Sequence, residues 1–353
     1  MLSSLVSAGT KALGGARFSL INVFPGTLLV AIVLFTARSG AYETGEASIG
    51  AAIPTRDELT AGSALVVLFA LFVIGVLIQP FQVALVQYLE GYWGNGALGR
   101  SFGAIAVELH RRRFRTAVVE LDTRTAPPSV ADLARVAAYA RADVYVRRVR
   151  SRAASILRRY PTEPSRFMPT MLGNILRNAE DSAGSRYGLD AMTVFPRMYP
   201  TLSKPLAEAV SRQLDLITVT ASMCVSFSLA AIATAPVLLR VDLWSVVPVA
   251  ALLLGVLSYR GALHAAASHG TLFATTFDLH RFDMLRALHY TLPTDAAKER
   301  LFNEELTRFL QGRVPAHREF AEYAYDHSTY NGAVPSLVES ANEETSSESS
   351  GHE

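Results

Sequence analysis

Four long apolar segments are the dominant feature of the chain, and polar stretches of differing composition separate them. The apolar segments cover residues 18–37, 65–86, 217–239 and 243–263. A helix of about 20 residues spans the roughly 30 Å hydrocarbon core of a bilayer. The pattern predicts an all-α protein with four transmembrane helices, a cytoplasmic helical domain between spans 2 and 3, and a helical C-terminal region.

The first apolar segment has two interpretations. Its length favours a membrane span, because the apolar core of a signal peptide usually has about 7–15 residues. Ser39 and Ala41 would nevertheless suit the small-residue positions before a cleavage site. We expect a span here and keep cleavage as the alternative.

Polar residues inside or at the ends of the apolar segments are candidates for intramembrane roles. Gln79 and Gln82 flank Pro80 in the second segment, which predicts a kink and a polar face turned towards protein or water. Arg260 and His264 fall at the inner end of the fourth segment. Ionisable groups there either extend to the bilayer interface or pair with neighbouring helices at a pore mouth.

The apolar segments divide the chain into five parts. These are an N-terminal segment with spans 1 and 2 (1–88), a basic helical domain (89–213), spans 3 and 4 (214–266), C-terminal helices (267–330) and an acidic tail (331–353). The tail is rich in serine and glutamate and poor in large apolar residues, which predicts disorder.

Charge sets the expected orientation. Residues 89–213 carry about 20 basic against about 11 acidic residues, an excess that the positive-inside rule places in the cytoplasm. Lys11 and Arg17 precede the first span, and the loop at 38–62 is weakly acidic. Both termini are therefore predicted to be cytoplasmic. Abundant alanine and a preference for arginine over lysine are typical of a GC-rich bacterial genome, so we expect a bacterial plasma membrane.

Several helices are expected outside the spans. The pattern predicts helices over 97–123, with strand ambiguity at 116–121, and from a capping box at Ser129 and Asp132 to residue 160. Shorter helices are predicted over 171–182 and 294–311, and Ser203 with Pro205 opens the helix that leads into span 3.

Residues 172–200 form the densest mixture of polar, aromatic and proline residues. The motifs Arg186-Tyr187-Gly188-Leu189-Asp190 and Pro196-Arg197 resemble a block in uncharacterised multi-pass bacterial membrane proteins, a resemblance that implies no function. Irregular segments of this kind often carry recognition. The candidate recognition surface comprises Asn174, Arg177, Arg186, Tyr187, Asp190 and Arg197. The structural alternative is that Asp190 caps the helix after it.

A basic cluster lies about 25 residues beyond span 2. It comprises Arg111, Arg112, Arg113 and Arg115. Such a cluster can contact anionic lipid headgroups at roughly 1 kcal/mol per charge. It could equally be a solvated face that serves as a topology signal. Nucleic-acid binding is disfavoured, because no recognisable nucleic-acid-binding module accompanies the charge.

Signatures of catalysis are weak. The run from Gly94 to Gly99 spells G-x-G-x-x-G, but that fingerprint requires a preceding strand, whereas here it follows an apolar helix and favours a hinge. The single cysteine, Cys224, excludes an intrachain disulfide. The polar set Asp278, His280, Arg281 and Asp283 favours a structural ion-pair network. We therefore predict no catalytic residues, no metal and no cofactor.

The leading functional hypothesis is a membrane scaffold or sensor whose cytoplasmic helical domain holds a protein partner. The alternative is an oligomeric ion channel or transporter. The layout of two spans, a helical insert, two spans and a cytoplasmic tail resembles bestrophin-type anion channels in topology only. A membrane-bound enzyme is the third hypothesis. The expected partners are the lipid bilayer, a cytoplasmic protein and a second copy of the chain.

Overall fold

Helices make up all the regular structure in the part of the chain that the structure describes. The computed structural model describes residues 24–43, 47–55, 60–78, 81–94, 96–122, 133–240 and 242–312. Its α-helices are α1 (Phe24–Arg38), α2 (Ile49–Ala52), α3 (Ala61–Ile78), α4 (Gln82–Glu90), α5 (Ala97–Asp122), α6 (Leu133–Leu157), α7 (Met171–Ser182), α8 (Ala191–Met198), α9 (Lys204–Leu238), α10 (Val246–Ala287) and α11 (Ala296–Leu310). The predicted all-α class is confirmed.

Among the described residues, two helical stretches are long and apolar enough to cross a membrane. They run over Lys204–Leu238 and Leu243–Ala287, and so contain predicted spans 3 and 4. Helix α1 is apolar but has only 15 residues, and residues 1–23 lie outside the described residues. Four crossings are therefore not established by the fold alone.

The described part of the second apolar segment lies in helices α3 and α4. Helix α3 ends at Ile78 and α4 begins at Gln82. Residues 79–80 lie outside the described residues, so the predicted kink at Pro80 falls in that gap. Helix α4 ends at Glu90, and Gly91 caps it in a left-handed conformation with φ 105°.

Helices α9 and α10 form an antiparallel hairpin in which small residues allow a close approach. A Cβ placed on Gly255 would lie 3.3 Å from the Ser228 hydroxyl, and one on Gly261 would lie 3.3 Å from Thr220. Small residues are the usual means of bringing membrane helices together, because the hydrophobic effect supplies little drive within lipid. The hairpin is the central unit of the fold.

Helix α1 packs against one end of this hairpin. Leu29 and Ile32 of α1 contact a buried patch formed by Ala230 of α9 and Ala251 of α10. Beyond α1, the hydroxyl of Tyr42 donates to the carbonyl oxygen of Ala233 over 3.0 Å. Helix α3 also packs against α1.

The other end of the hairpin carries two apolar cores. In the first, Leu172 and Ile175 of α7 pack against Ile217 of α9 and Ala262 of α10, with α4 and α5 at the edge. In the second, α8 and α11 close around the last turns of α10. The buried members of this second core include Val194, Met198, Phe277, Met284 and Leu306.

The shorter helices agree closely with the predictions. Helix α7 covers the predicted 171–182, and Thr170 caps it by accepting a hydrogen bond from the Gly173 amide over 3.0 Å. Helix α11 begins after the Asp295 cap, within the predicted 294–311. The segment 116–121 is helical. The proposed capping box at 129–132 and the acidic tail lie outside the described residues.

Candidate functional site

A groove of about 920 Å³ lies where the end of α6, helix α7 and the second half of α10 meet. Its floor is apolar and made of small residues, including Ala179 of α7 and Ala266 and Gly270 of α10. The polar lining consists of Ser155, Arg158, Arg159, Thr162, Asn178, Ser182, Arg186, Thr271, Thr275 and Asp278. Three cationic side chains and one carboxylate therefore surround an apolar floor.

The charge of the groove favours an anionic group. Arg186 faces Asp278 with 3.9 Å between guanidinium nitrogen and carboxylate oxygen, and both side chains are exposed. Arg158 and Arg159 form no ion pair with any carboxylate among the described residues. Guanidinium groups bind carboxylates and phosphates through paired hydrogen bonds. The groove is therefore suited to an acidic segment or another anion.

An aromatic cluster supports the wall of the groove. The rings of Phe114, Tyr160 and Phe167 lie 5.1–5.7 Å apart, and His110 Nδ1 lies 2.9 Å from the Tyr160 hydroxyl. Burial raises the pKa of Tyr160 and lowers the pKa of His110, so both are held in their neutral forms near neutral pH. The cluster fixes α5 against the chain that leaves α6.

Two residues of the predicted recognition surface have structural roles in α7. Asn174 is fully buried, so it does not lie on a surface. Its amide donates to the carbonyl oxygens of Met168 and Thr170 over 2.8 and 2.7 Å and fixes the turn before the helix. Arg177 is half-buried, and it donates to the Tyr92 hydroxyl over 3.0 Å and pairs with Glu180 at 3.2 Å.

The other four residues of that surface lie around α8 and do not form one site. Asp190 caps α8 by accepting a hydrogen bond from the Thr193 amide over 3.1 Å. This is the capping role that the sequence offered as the structural alternative to recognition. The Tyr187 hydroxyl donates to Asp278 over 2.6 Å. Arg197 is exposed, and its guanidinium donates to the Thr193 carbonyl in its own helix. Only Arg186, which lines the groove, joins the candidate site.

The loop before α8 is the docking surface for α11. The side-chain amide of Asn303 in α11 donates to the Tyr187 carbonyl of this loop over 2.9 Å. Helix α10 adds a further contact, because Arg281 Nε donates to Glu299 of α11 over 2.6 Å. Gly188 has φ 77°, and a Cβ there would lie 2.6 Å from the Arg300 carbonyl oxygen. Sequence reasoning missed these contacts of α11. The available signal was a row of polar residues at four-residue spacing, Glu299, Asn303 and Thr307.

A second polar cluster lies where α4 approaches α7. Burial raises the pKa of Glu90 to about 7, with a further increase from Glu180 and a smaller opposing effect of Arg177. Burial also raises the pKa of Glu180. Two half-buried carboxyl groups therefore share one arginine, and this arrangement favours a proton on Glu90 near neutral pH.

We expect Glu90 to make stability depend on pH. A carboxyl whose folded pKa is raised from 4.5 to about 7 stabilises the fold at low pH, and this stabilisation is lost as the pH rises through that window. Glu90→Gln should therefore raise the melting temperature at about pH 8 and converge with the wild type towards about pH 5. Thermal unfolding of both proteins in one detergent across this range is the measurement. If the melting temperatures of the two proteins differed by the same amount at every pH, the raised pKa assigned to Glu90 would be wrong.

The predicted lipid-contact cluster lies on α5 and is partly neutralised. All four side chains, Arg111, Arg112, Arg113 and Arg115, are exposed. Glu108 pairs with Arg115 at 2.7 Å and with Arg112 at 3.4 Å. Arg111 instead donates to the Pro164 carbonyl over 3.4 Å.

The candidate intramembrane residues do not converge in the described structure. Arg260 and His264 are exposed and lie four residues apart, on one face of α10. Gln79 and the side chain of Gln82 lie outside the described residues. The G-x-G-x-x-G run follows helix α4, and not the strand that a dinucleotide site requires.

No protein-family model, curated protein or solved structure matches this chain.

Proposed function

We propose that the chain is an integral plasma-membrane protein with four spans and cytoplasmic termini, and that it acts as a scaffold or sensor for a cytoplasmic partner. Helices α1 and α3 would supply the first two crossings and α9 and α10 the others. Helix α3 has no charged residue, and its large apolar side chains, such as Leu65 and Phe69, are exposed. Exposed apolar surface of this extent is stable in lipid.

Aromatic residues at two levels support this placement. Phe35 and Trp244 lie 6.2 Å apart at the end where α9 turns into α10. Tyr88 and Trp93 lie 6.4 Å apart beyond the end of the second apolar segment. Tryptophan and tyrosine are enriched at both membrane–water interfaces. The two pairs would mark the outer and inner surfaces of the bilayer.

The continuity of α9 and α10 is the observation that carries the functional proposal. These helices have 35 and 42 residues. They are therefore about 52 and 63 Å long, against a hydrocarbon core of about 30 Å. Helix α7 packs on Ile217 and Ala262, at one end of the two apolar segments. Helices α8 and α11 pack on the part of α10 beyond its apolar segment, around Phe277 and Met284. The membrane hairpin thus extends directly into a packed platform, and the groove of Arg158, Arg159 and Arg186 lies on that platform.

Topology is the first test. Reporter fusions after Gly45 and Arg240 should report the periplasm, and fusions after Arg124 and Gly312 should report the cytoplasm. The reason is the basic composition of residues 89–213. A periplasmic signal from the fusion after Arg124 would overturn the arrangement.

Partner binding is the second test. A photo-crosslinking amino acid at Ser182, which lines the groove, should capture a defined cytoplasmic protein in cells. The double variant Arg158→Glu/Arg159→Glu should abolish capture without lowering the melting temperature, because it reverses the charge that an acidic segment would contact. Arg148→Glu/Arg308→Glu changes the net charge equally outside the groove and serves as the control. Equal loss of capture in both variants would remove the groove from the proposal.

A further inference from the structure

Helix α5 carries an exposed apolar stripe that no described part of the chain covers. Leu98, Phe102, Ile105 and Leu109 are 60–75% exposed. Their spacing of four, three and four residues places them on one face of the helix. Four large apolar side chains in a row form a contiguous patch, and patches of this kind in folded proteins mark an interaction surface.

Contacts on the opposite face of α5 show where the stripe lies along the apolar helices. Val107 belongs to the core cluster that contains Leu89 of α4 and Leu263 of α10. A Cβ on Gly103 would lie 3.7 Å from Pro169, the residue that also contacts Gly91 at the end of α4. Helix α5 therefore passes the point where predicted spans 2 and 4 end.

The residues around the stripe have the chemistry of a membrane interface. Trp93 and the exposed Tyr92 lie four and five residues before the start of α5. Arg112 and Arg113 flank the continuation of the stripe at its C-terminal end. An apolar face with aromatic residues beside it and arginines at its margin is the pattern of a helix that lies in the interface plane of an anionic membrane.

We infer that the first half of α5 is an interfacial helix whose stripe inserts into the cytoplasmic leaflet, with Arg112 and Arg113 on anionic headgroups. This inference rests on the proposed membrane placement. A second copy of the chain is the other possible occupant of the stripe. The lipid surface is favoured because Arg112 and Arg113 at the margin of the stripe complement anionic headgroups. A parallel pair of α5 helices would instead bring two arginine clusters together, and like charges in proximity are destabilising.

The single cysteine makes a depth measurement direct. In a Cys224→Ser background, one new cysteine is labelled with an environment-sensitive fluorophore, and the full chain is reconstituted into phosphatidylcholine vesicles with or without phosphatidylglycerol. Phe102→Cys reports the stripe. Arg100→Cys, two residues away and about 200° around the same helix, is the matched control. Leu253→Cys reports an exposed site in predicted span 4.

The inference predicts a blue-shifted emission for the label at position 102, with quenching by lipids spin-labelled near the headgroup. The apolar face of an interfacial helix lies roughly 5–10 Å into the boundary between headgroups and acyl chains. The label at position 100 should remain water-exposed, and the label at position 253 should be quenched by lipids labelled deep in the acyl chain. Phosphatidylglycerol should strengthen quenching at position 102, and Arg112→Gln/Arg113→Gln should reverse this gain.

Three results would overturn the inference. A water-exposed label at position 102 with a quenched label at position 253 would refute the interfacial helix and leave the membrane placement intact. Excimer formation by pyrene at position 102 at high protein-to-lipid ratio, without lipid quenching, would assign the stripe to a second copy. A water-exposed label at position 253 would refute the membrane placement itself.

Discussion

Replacing Gly173 with alanine is expected to separate α4 from α7. The added Cβ would lie 2.0 Å from the carbonyl oxygen of Glu90 and 2.9 Å from the Cβ of Met168. The first contact is with backbone, so no side-chain rotation relieves it. Overpacking a tight core typically costs about 1–3 kcal/mol and occasionally more. We expect about 3 kcal/mol here, because both elements that meet at Gly173 would have to move.

Thermal unfolding in detergent or nanodiscs measures this effect, and Gly103→Ala is the matched control. The Cβ of that variant would meet Pro169 at 3.7 Å, an ordinary contact. In a helix interior, alanine replaces glycine with a gain of up to about 1 kcal/mol. The control should therefore be neutral or stabilising. Equal melting temperatures for Gly173→Ala and the wild type would show that α4 and α7 do not approach each other this closely.

Removing the charge of Arg281 is also expected to lower the stability of the fold by a large amount. Its Nε donates to Glu299 over 2.6 Å, and its guanidinium lies 4.1 Å from the ring centre of Tyr187 and 4.2 Å from that of Phe282. Both charged side chains are largely buried. Removal of one partner from a buried ion pair costs about 3–5 kcal/mol, because the remaining charge is left without compensation. Arg281→Met should therefore destabilise the second core by about this amount.

Two further variants separate the lost charge from the lost packing. Arg281→Met/Glu299→Leu removes both charges and should recover most of the stability, since apolar replacements of buried pairs are often neutral. Arg300→Ala breaks the exposed pair with Glu304 and should cost about 0–1 kcal/mol. A double variant as unstable as Arg281→Met would show that the contact of arginine with the aromatic rings is the main contribution.

Local signals in the sequence predicted the helices well. Helix α7 follows Pro169 and a threonine cap, and α11 follows an aspartate cap, so their limits could be read from neighbouring residues. Ser203 and Pro205 predicted that α9 begins before its apolar segment, and it begins at Lys204. Hydropathy marks only where a helix meets lipid, so the apolar segment 243–263 does not delimit α10, which continues to Ala287.

The candidate site could be predicted only in part. Arg186 was selected because it lies in a dense polar block, and it does line the groove. Asn174 was selected for the same reason but is buried, because composition does not reveal that its amide is satisfied by the Met168 and Thr170 backbone. Arg158 and Arg159 were recognised as basic residues. Their position in a groove depends on the packing of α7 and α10, which lie far from them in sequence.

The length of α10 has a mechanical consequence. Beyond predicted span 4 this helix continues for the residues 264–287, without a proline after Pro248, and its end carries α11. This extension is about 36 Å long, so a change of about 10° in the tilt of the span would displace its tip by about 6 Å. Distances between spin labels on the tip, in bilayers of different thickness, measure that displacement. In the proposed membrane placement, such a helix would act as a lever that converts the thickness of the bilayer into the position of a cytoplasmic surface.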